Sequence, residues 1–407
     1  MDLFRRIFVF PLLIPCALFA QERLSRADAV TQALRNNPQL ATAAARVGIA
    51  EGLRLQAGLG PNPRLFIQSE NARLWGASSP SYPGIDTYAF FAQTLETGGK
   101  RQRRVDFAAE NVQGSELERQ LQRQQIISRV SAAYWAAAGA ARVLDLLQQE
   151  AASFDRVVQF HQDRVREGAS PEVDLLRIEV ERERLVTSAR TAAQDADRTR
   201  IAMFREMGNT EFPAVAFTDM LDQPHPVELL TPEQALAQRP EMKLARESVE
   251  QSRANLRLQQ ANAKPDPDAL LGYKRTFGFN TLYAAVQIPL PVRNRNQGQI
   301  EAAVAEIRAA ESSVAETEAQ IRSELEAARR DYESRQRLLN ETLRPMRDRA
   351  DEVYRIVDAA YRETGSDILR LLDAERTKIE TQLLYARTLS EFQQSAVALE
   401  TAQGSLP

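Results

Sequence analysis

Cysteine is all but missing from this chain. Its 407 residues hold one, Cys16, and two histidines, His161 and His225. Cys16 sits inside an apolar run from Ile7 to Phe19 that follows Arg5-Arg6 and ends beside Ala20, a small residue suited to cleavage. Those are the three parts of a secretory signal, so residues 1–20 are expected to be a signal peptide. Pro15, immediately before Cys16, fits a lipid-attachment site poorly. The mature chain is then free of cysteine, which excludes disulfides, thiolate metal sites and a cysteine nucleophile. The histidines stand in a helical stretch and in a Pro-rich linker, without metal-ligand spacing, and are read as surface residues. No nucleophile–base or metal cluster emerges, so neither an enzyme nor a cofactor is expected.

Other scarcities narrow the choice further. After residue 20 no segment reaches the roughly 20 apolar residues that a membrane-crossing helix needs. The longest small-apolar stretch, Ala132 to Ala141, is about half of that. The formal charge of −3 argues against nucleic acid as a partner. Between Gly99 and Arg166 there is no proline, and glycine occurs only at Gly114 and Gly139. At about 1.5 Å per residue, that stretch predicts a helix on the order of 100 Å long, too long for one globular domain.

What is present is present twice. Near residues 24–208 and again near 231–403, the same signals recur about 200 residues apart, and a duplication of this size governs the fold. A Pro-marked helix opens each copy (Asn37-Pro38, Arg239-Pro240), then a helix ends at a Pro-x-Pro break (61–63, 265–267). A β-like stretch with aromatics leads to a basic cluster, and a very long helix broken at one glycine (Gly168, Gly365) closes the copy. The expected division is a signal peptide at 1–20, a first repeat at 21–208, a linker at 209–230 and a second repeat at 231–407. The first repeat opens with a helix over 24–60 whose start, Ser25 with Asp28, resembles a capping box. Strands are predicted at 64–71, 86–96, 268–275 and 280–290, with hairpin tips at 167–171 and 364–367.

The long helices carry a heptad stripe, with Ile300, Ile307, Val314, Ile321 and Ala328 on one register, which predicts left-handed supercoiling. Ala132, Ala133, Ala136, Ala137, Ala138 and Gly139 are small enough for helix backbones to approach closely. In the last strand Leu282, Ala284, Val286, Ile288 and Leu290 alternate with Thr281, Tyr283, Ala285 and Gln287. That is the apolar-out, polar-in pattern of an outer-membrane barrel strand. Tyr88, Phe90, Phe91, Tyr273, Phe277 and Phe279 are candidates for aromatic girdles. An ordinary half-buried antiparallel sheet fits the strands alone equally well. Four strands cannot close a barrel, and open edges are not tolerated in lipid, so a barrel requires several copies. The competing class is a periplasmic structural coiled-coil or adaptor-like protein, which would lack the duplicated strand pairs. The basic residues Lys100, Arg101, Arg103 and Arg104 are expected to pair with lipid headgroups or acidic neighbours. Asp266 and Asp268 are read as parts of a turn before a strand.

Over essentially its whole mature length the chain resembles the TolC family of outer-membrane efflux ducts. The most specific motifs are Pro61-Asn62-Pro63, the junction Glu96-Thr97-Gly98-Gly99-Lys100-Arg101 and the two tip loops. The junction and the short length most resemble the cobalt–zinc–cadmium efflux branch. The resemblance implies a mainly α fold with a small β part. Duplicated long-helix hairpins would form a trimeric α-barrel tunnel in the periplasm, topped by a shared 12-stranded barrel in outer-membrane lipid. It implies a homotrimer that engages a periplasmic adaptor and an inner-membrane RND-type pump and passes substrate, heavy-metal cations among the candidates, without chemistry. It further implies a constriction at the helix tips, in which an Asp of the first tip bonds a Tyr of the second. By spacing these are Asp174 and Tyr361, with Asp373 as the constriction carboxylate. Arg370 stands in place of a second acidic residue and Ser366 in place of a common gating Arg. Gly168, Ser170, Gly365 and Ser366 mark the ends expected to dock the adaptor, with Val165, Val173, Leu176, Ile368 and Leu371 along the flanking seams.

Overall fold

In the computed structural model, residues 22–72, 75, 84–223, 227–364 and 368–406 are described. The signal-peptide assignment, His225, Gly365 and Ser366 lie outside them. The chain opens with a short strand, β1 (Glu22–Leu24), followed by α1 (Arg26–Asn36) and α2 (Pro38–Ala57). The single helix expected over 24–60 is therefore broken. Pro38 has no N–H and its ring disfavours helical backbone at the residue before it, so Asn37 takes an extended conformation. Ser25 accepts from the Asp28 amide as the N-cap of α1.

Two strands, β2 (Arg64–Glu70) and β3 (Asp86–Thr94), lead into α3, which runs unbroken over Lys100–Arg166 for 67 residues. The return helix α4 spans Glu172–Met207. In the linker, a strand that the sequence pattern does not reveal, β4 (Val215–Phe217), pairs in parallel with β1. The buried Tyr134 hydroxyl donates to the Leu24 carbonyl at 3.0 Å, which fixes this pair against the middle of α3.

The second copy repeats the plan with α5 (Pro232–Gln238), α6 (Pro240–Asn262), β5 (Asp268–Thr276) and β6 (Phe279–Gln287). Its long arm is not one helix. It consists of α7 (Gln297–Arg337), a π-helical turn (Leu338–Leu343) and α8 (Arg344–Thr364), and α9 (Ile368–Gln403) returns. Pro345 supplies the reason. It removes the donor for the Glu341 carbonyl and crowds the preceding turn, and widening by one residue accommodates it. The Arg344 amide accordingly reaches back five residues to the Leu339 carbonyl.

The duplication extends to how each copy closes on itself. In the first copy, Gly208 ends α4 at φ 83°, and a Cβ there would lie 2.9 Å from the Asn37 Cα. Asn37 in turn donates to the Glu206 carbonyl at 2.9 Å. In the second, the turn at Gly404 meets the backbone of Arg239, whose buried guanidinium donates to the carbonyls of Thr401 and Ala402. Each X-Pro corner is thus the seat for the end of its own return helix.

Buried side chains form a spine along the helices. Tyr134, Trp135, Met203 and Phe204 pack in the first copy, Tyr332, Leu343, Tyr385 and Phe392 in the second. Of the heptad stripe, Ile321 is buried and Ile300, Ile307, Val314 and Ala328 are half-buried. At Gly139 the backbone of α3 comes so close to α9 that an added Cβ would overlap Ser390, whose hydroxyl donates to the Trp135 carbonyl at 2.8 Å.

Candidate functional site

The four long strands make one antiparallel sheet in the order β2-β3-β5-β6. Cross-strand register assigns its two faces. Leu65, Phe91, Leu271 and Ala284 form one row, and Ile67, Ala89, Tyr273 and Leu282 the next. On this face Leu65, Ile67, Phe91, Leu271, Leu282 and Val286 are each more than half exposed. So large a contiguous apolar surface requires a partner. The opposite face carries Gln68, Tyr88, Lys274, Thr281 and Gln287. It also carries an aromatic row: Phe66 stacks on Phe90 at 5.1 Å, and Phe90 meets Tyr283 at 5.2 Å. Tyr88 and Phe90 therefore do not join a girdle with Phe91 and Tyr273, because alternation along the strand sends them to the other side. Gly272 sits between Phe90 and Tyr283 in the register, where a Cβ would be 2.3 Å from the Ala89 carbonyl oxygen and from Phe90.

The strand-to-helix junction is held by charge and by backbone bonds. The Lys100 ammonium lies 2.6 Å from both the Asp266 carboxylate and the Lys264 carbonyl. Thr97 donates its amide to Asp266 and its hydroxyl to the Pro265 carbonyl. Arg104 engages Glu96 with two nitrogens and also reaches the Leu59 carbonyl. Gly98 and Gly99 adopt φ of 68° and 72°, and a Cβ on Gly98 would meet Lys264. The junction motif of the first copy therefore clasps the Pro-x-Pro break of the second. Asp268, bonded by Thr94 and Arg64, completes the turn expected for this segment.

At the far end of α3, about 100 Å from the sheet, Gly168 at φ 73° closes the helix. The Ala169 amide bonds the Arg164 carbonyl and the Gly168 amide that of Val165, the bonding of a Schellman turn. Ser170 is half-buried beside it. Asp174 lies in the first turn of α4, and Arg370 and Asp373 lie on the exposed side of α9. Tyr361 is buried with Phe154, Ile178, Ile368, Leu371 and Ile379. The structure corrects three expectations here. The Tyr361 hydroxyl bonds His161 Nε2 at 3.0 Å, not Asp174. His161 is 1% exposed, so it is no surface residue. Ile368 and Leu371 pack inside the tip, which leaves Val173 and Leu176, each about half exposed, as the outward seam. Burial and the neighbouring Arg164 hold the His161 pKa below its ordinary value, with the Asp174 charge acting against them.

Two turns up α9, Glu375 is 3% exposed. Burial, then the charge of Glu150, push its pKa up to about 7, while Lys378 opposes. Among the described residues no helix is long and apolar enough to cross a membrane, and no cluster of His, Cys, Asp or Glu could hold a metal.

A sheet with an apolar outer face, carried on a rod of antiparallel helices, defines an outer-membrane duct protein. Residues 29–205 match the family model described as outer membrane efflux protein. Over 384 residues, 92% of this chain and 89% of the relative, the sequence is 25% identical to the cobalt-zinc-cadmium resistance protein CzcC of Cupriavidus metallidurans. The fold is similar to the CmeC outer membrane channel of Campylobacter jejuni, with a TM-score of 0.77 and 16% identity, covering 93% of this chain and 85% of that one. It is also similar to the open state of the MtrE outer membrane channel of Neisseria gonorrhoeae, at 0.74 and 18%, covering 93% and 88%. The chain is similar to outer membrane efflux proteins in sequence over residues 29–205 and to outer-membrane channels in fold, and is an efflux channel of the outer membrane.

Proposed function

We propose that three copies of this chain assemble into the exit duct of a tripartite efflux system. The observation that carries this reading is the open sheet. Each chain supplies four strands with an apolar face on one side and polar groups on the other, while the outer edges of β2 and β6 have no partner strand among the described residues. Unpaired edges in hydrocarbon cost several kcal/mol per orphaned group. Closure by three sheets satisfies every edge and gives twelve strands, with the apolar face toward lipid and the Phe66–Phe90–Tyr283 row toward the lumen. The helices continue the tunnel into the periplasm. There the loop around Gly168 and Ser170, with the exposed Val173 and Leu176, faces a periplasmic adaptor and through it an inner-membrane pump of the RND type.

Arg370 and Asp373, one turn apart on the exposed side of α9, line the constriction in this reading, and Asp174 and Tyr361 belong to the packing that narrows it. A carboxylate and a guanidinium together give a ring of mixed sign and weak ion selectivity. The kinship to a cobalt-zinc-cadmium resistance protein supports divalent metal cations as cargo. A passive duct needs no metal ligands of its own, and it conducts without chemistry.

The test is assembly and conductance. Protein purified in detergent should have the mass of a trimer and show strand signal beside strong helix in circular dichroism. In planar bilayers it should form channels. A stable monomer that inserts into no bilayer would overturn the reading.

A further inference from the structure

The geometry points to His161 as an acid-released latch that seats the end of the second hairpin on the first. The Nε2–Tyr361 bond joins α3 to α8 across 200 positions of sequence, five residues before α3 ends. Both partners are buried, at 1% and 9% exposure. The His161 Nδ1 is also buried and has no hydrogen-bond partner. Whichever tautomer is present, neutral imidazole leaves one weakly polar nitrogen unsatisfied. The imidazolium leaves a charged N–H unsatisfied, which is far costlier in an apolar pocket.

The groups that face His161 sharpen this preference. Its own helix presents Arg164, whose guanidinium is anchored over the Phe160 ring and near the Ala169 carbonyl. From α4 comes Asp174, the one opposing charge among the described residues. From α8, among the described residues, comes the Tyr361 hydroxyl, and α4 and α9 complete the pocket wall around Tyr361 with Ile178, Ile368 and Leu371. Protonation therefore places two positive charges side by side against one half-buried carboxylate. The charged ring is relieved by reaching water, and it reaches water when α8 parts from α3. As a histidine held below its ordinary value, His161 supports seating above about pH 6.5 and withdraws that support as pH falls through and below it. Glu375 belongs to a separate group, with Glu150, Asp358 and Lys378, and its titration acts in the opposite direction.

The latch rests on the duct reading for its purpose but not for its test. The only natural cysteine, Cys16, lies in the expected signal peptide, so Asp163→Cys with Arg362→Cys gives one spin-label pair per chain across α3 and α8, and mixing labelled with excess unlabelled chains isolates the distance within one chain. Distances are measured by pulsed electron resonance on the assembled protein in liposomes between pH 7.5 and 5.0, beside single-channel conductance at the same values. The expected result is a longer-distance population that grows by up to about tenfold per pH unit below the transition, with conductance rising in parallel. His161→Gln keeps a partner for Tyr361 but cannot titrate, and should be flat with pH. Tyr361→Phe keeps the titration but loses the bond, and should release at higher pH than the natural chain. Distances unchanged down to pH 5.0, or a His161→Gln protein that responds as strongly as the natural one, would overturn the latch. A pH-dependent distance in protein that never conducts would uphold the latch and sink the duct.

Discussion

Glu375→Gln should stabilise the tip-proximal helices at alkaline pH and leave them unchanged in mild acid. Glu375 is buried on α9 near two carboxylates, Glu150 and Asp358. The one nearby cation, Lys378, is already 2.9 Å from Glu150 and 4.6 Å above the Tyr354 ring. The carboxyl therefore holds its proton up to about pH 7 when folded, against an ordinary value of 4.5. A carboxyl raised in the folded state contributes stability that is fully present below its unfolded value and is lost as pH rises through the folded one. A difference of about 2.5 units, at about 1.4 kcal/mol per unit, gives roughly 3 kcal/mol lost between about pH 4.5 and 8, an upper bound because water can reach a loosened site. Glutamine is neutral throughout and incurs no such loss. Hydrogen exchange of peptides covering residues 368–385 reads the effect locally. At pH 8 the variant should exchange up to about a hundredfold more slowly than the natural protein, and at pH 4 at about the same rate. Faster exchange in the variant at pH 8 would mean that Lys378 stabilises the ionised Glu375 carboxylate, contrary to the geometry.

The sheet and the junction yield two further expectations. Gly272→Val forces a Cβ to within 2.3 Å of backbone atoms of β3. Overpacking costs about 1–3 kcal/mol even where side chains can yield, so strand pairing should fail and trimers should vanish from light scattering; normal trimers would show that β3 and β5 do not approach so closely. Lys100→Met strands the Asp266 carboxylate. Since Asp266 keeps some access to water, the loss should fall at or below the low end of the ~3–5 kcal/mol seen for broken buried pairs. Adding Asp266→Leu should restore part of that loss in thermal midpoint, whereas strictly additive midpoints would mean that the pair contributes nothing.

The parts of this molecule legible in the sequence are those whose physics is local. The alternation of Leu282 to Val286 encodes a two-faced strand without reference to any other strand, and Pro38 is a local break signal that the single helix expected over 24–60 passes over. The heptad on α7 works in the same way. Pro345 is local too, and its π-helical turn follows from the missing donor, although the expected long helix runs through it. What escaped depends on partners distant in sequence. Three-residue strands such as β1 and β4 are too short to leave a period, and only their pairing with each other makes them strands. The side of the sheet taken by Phe90 is set by a register with Phe66 and Tyr283 that no single strand contains. His161 is the sharpest case. A lone histidine among Gln, Asp and Arg on a helix reads as solvated, since those neighbours are solvated, and its burial is decided by Tyr361, which is 200 residues away. The tip therefore combines a legible turn at Gly168 with an illegible bond between the two hairpins. A duplicated fold makes this outcome general: each half specifies its own helices and strands, whereas the bond between His161 and Tyr361 is made between the two halves.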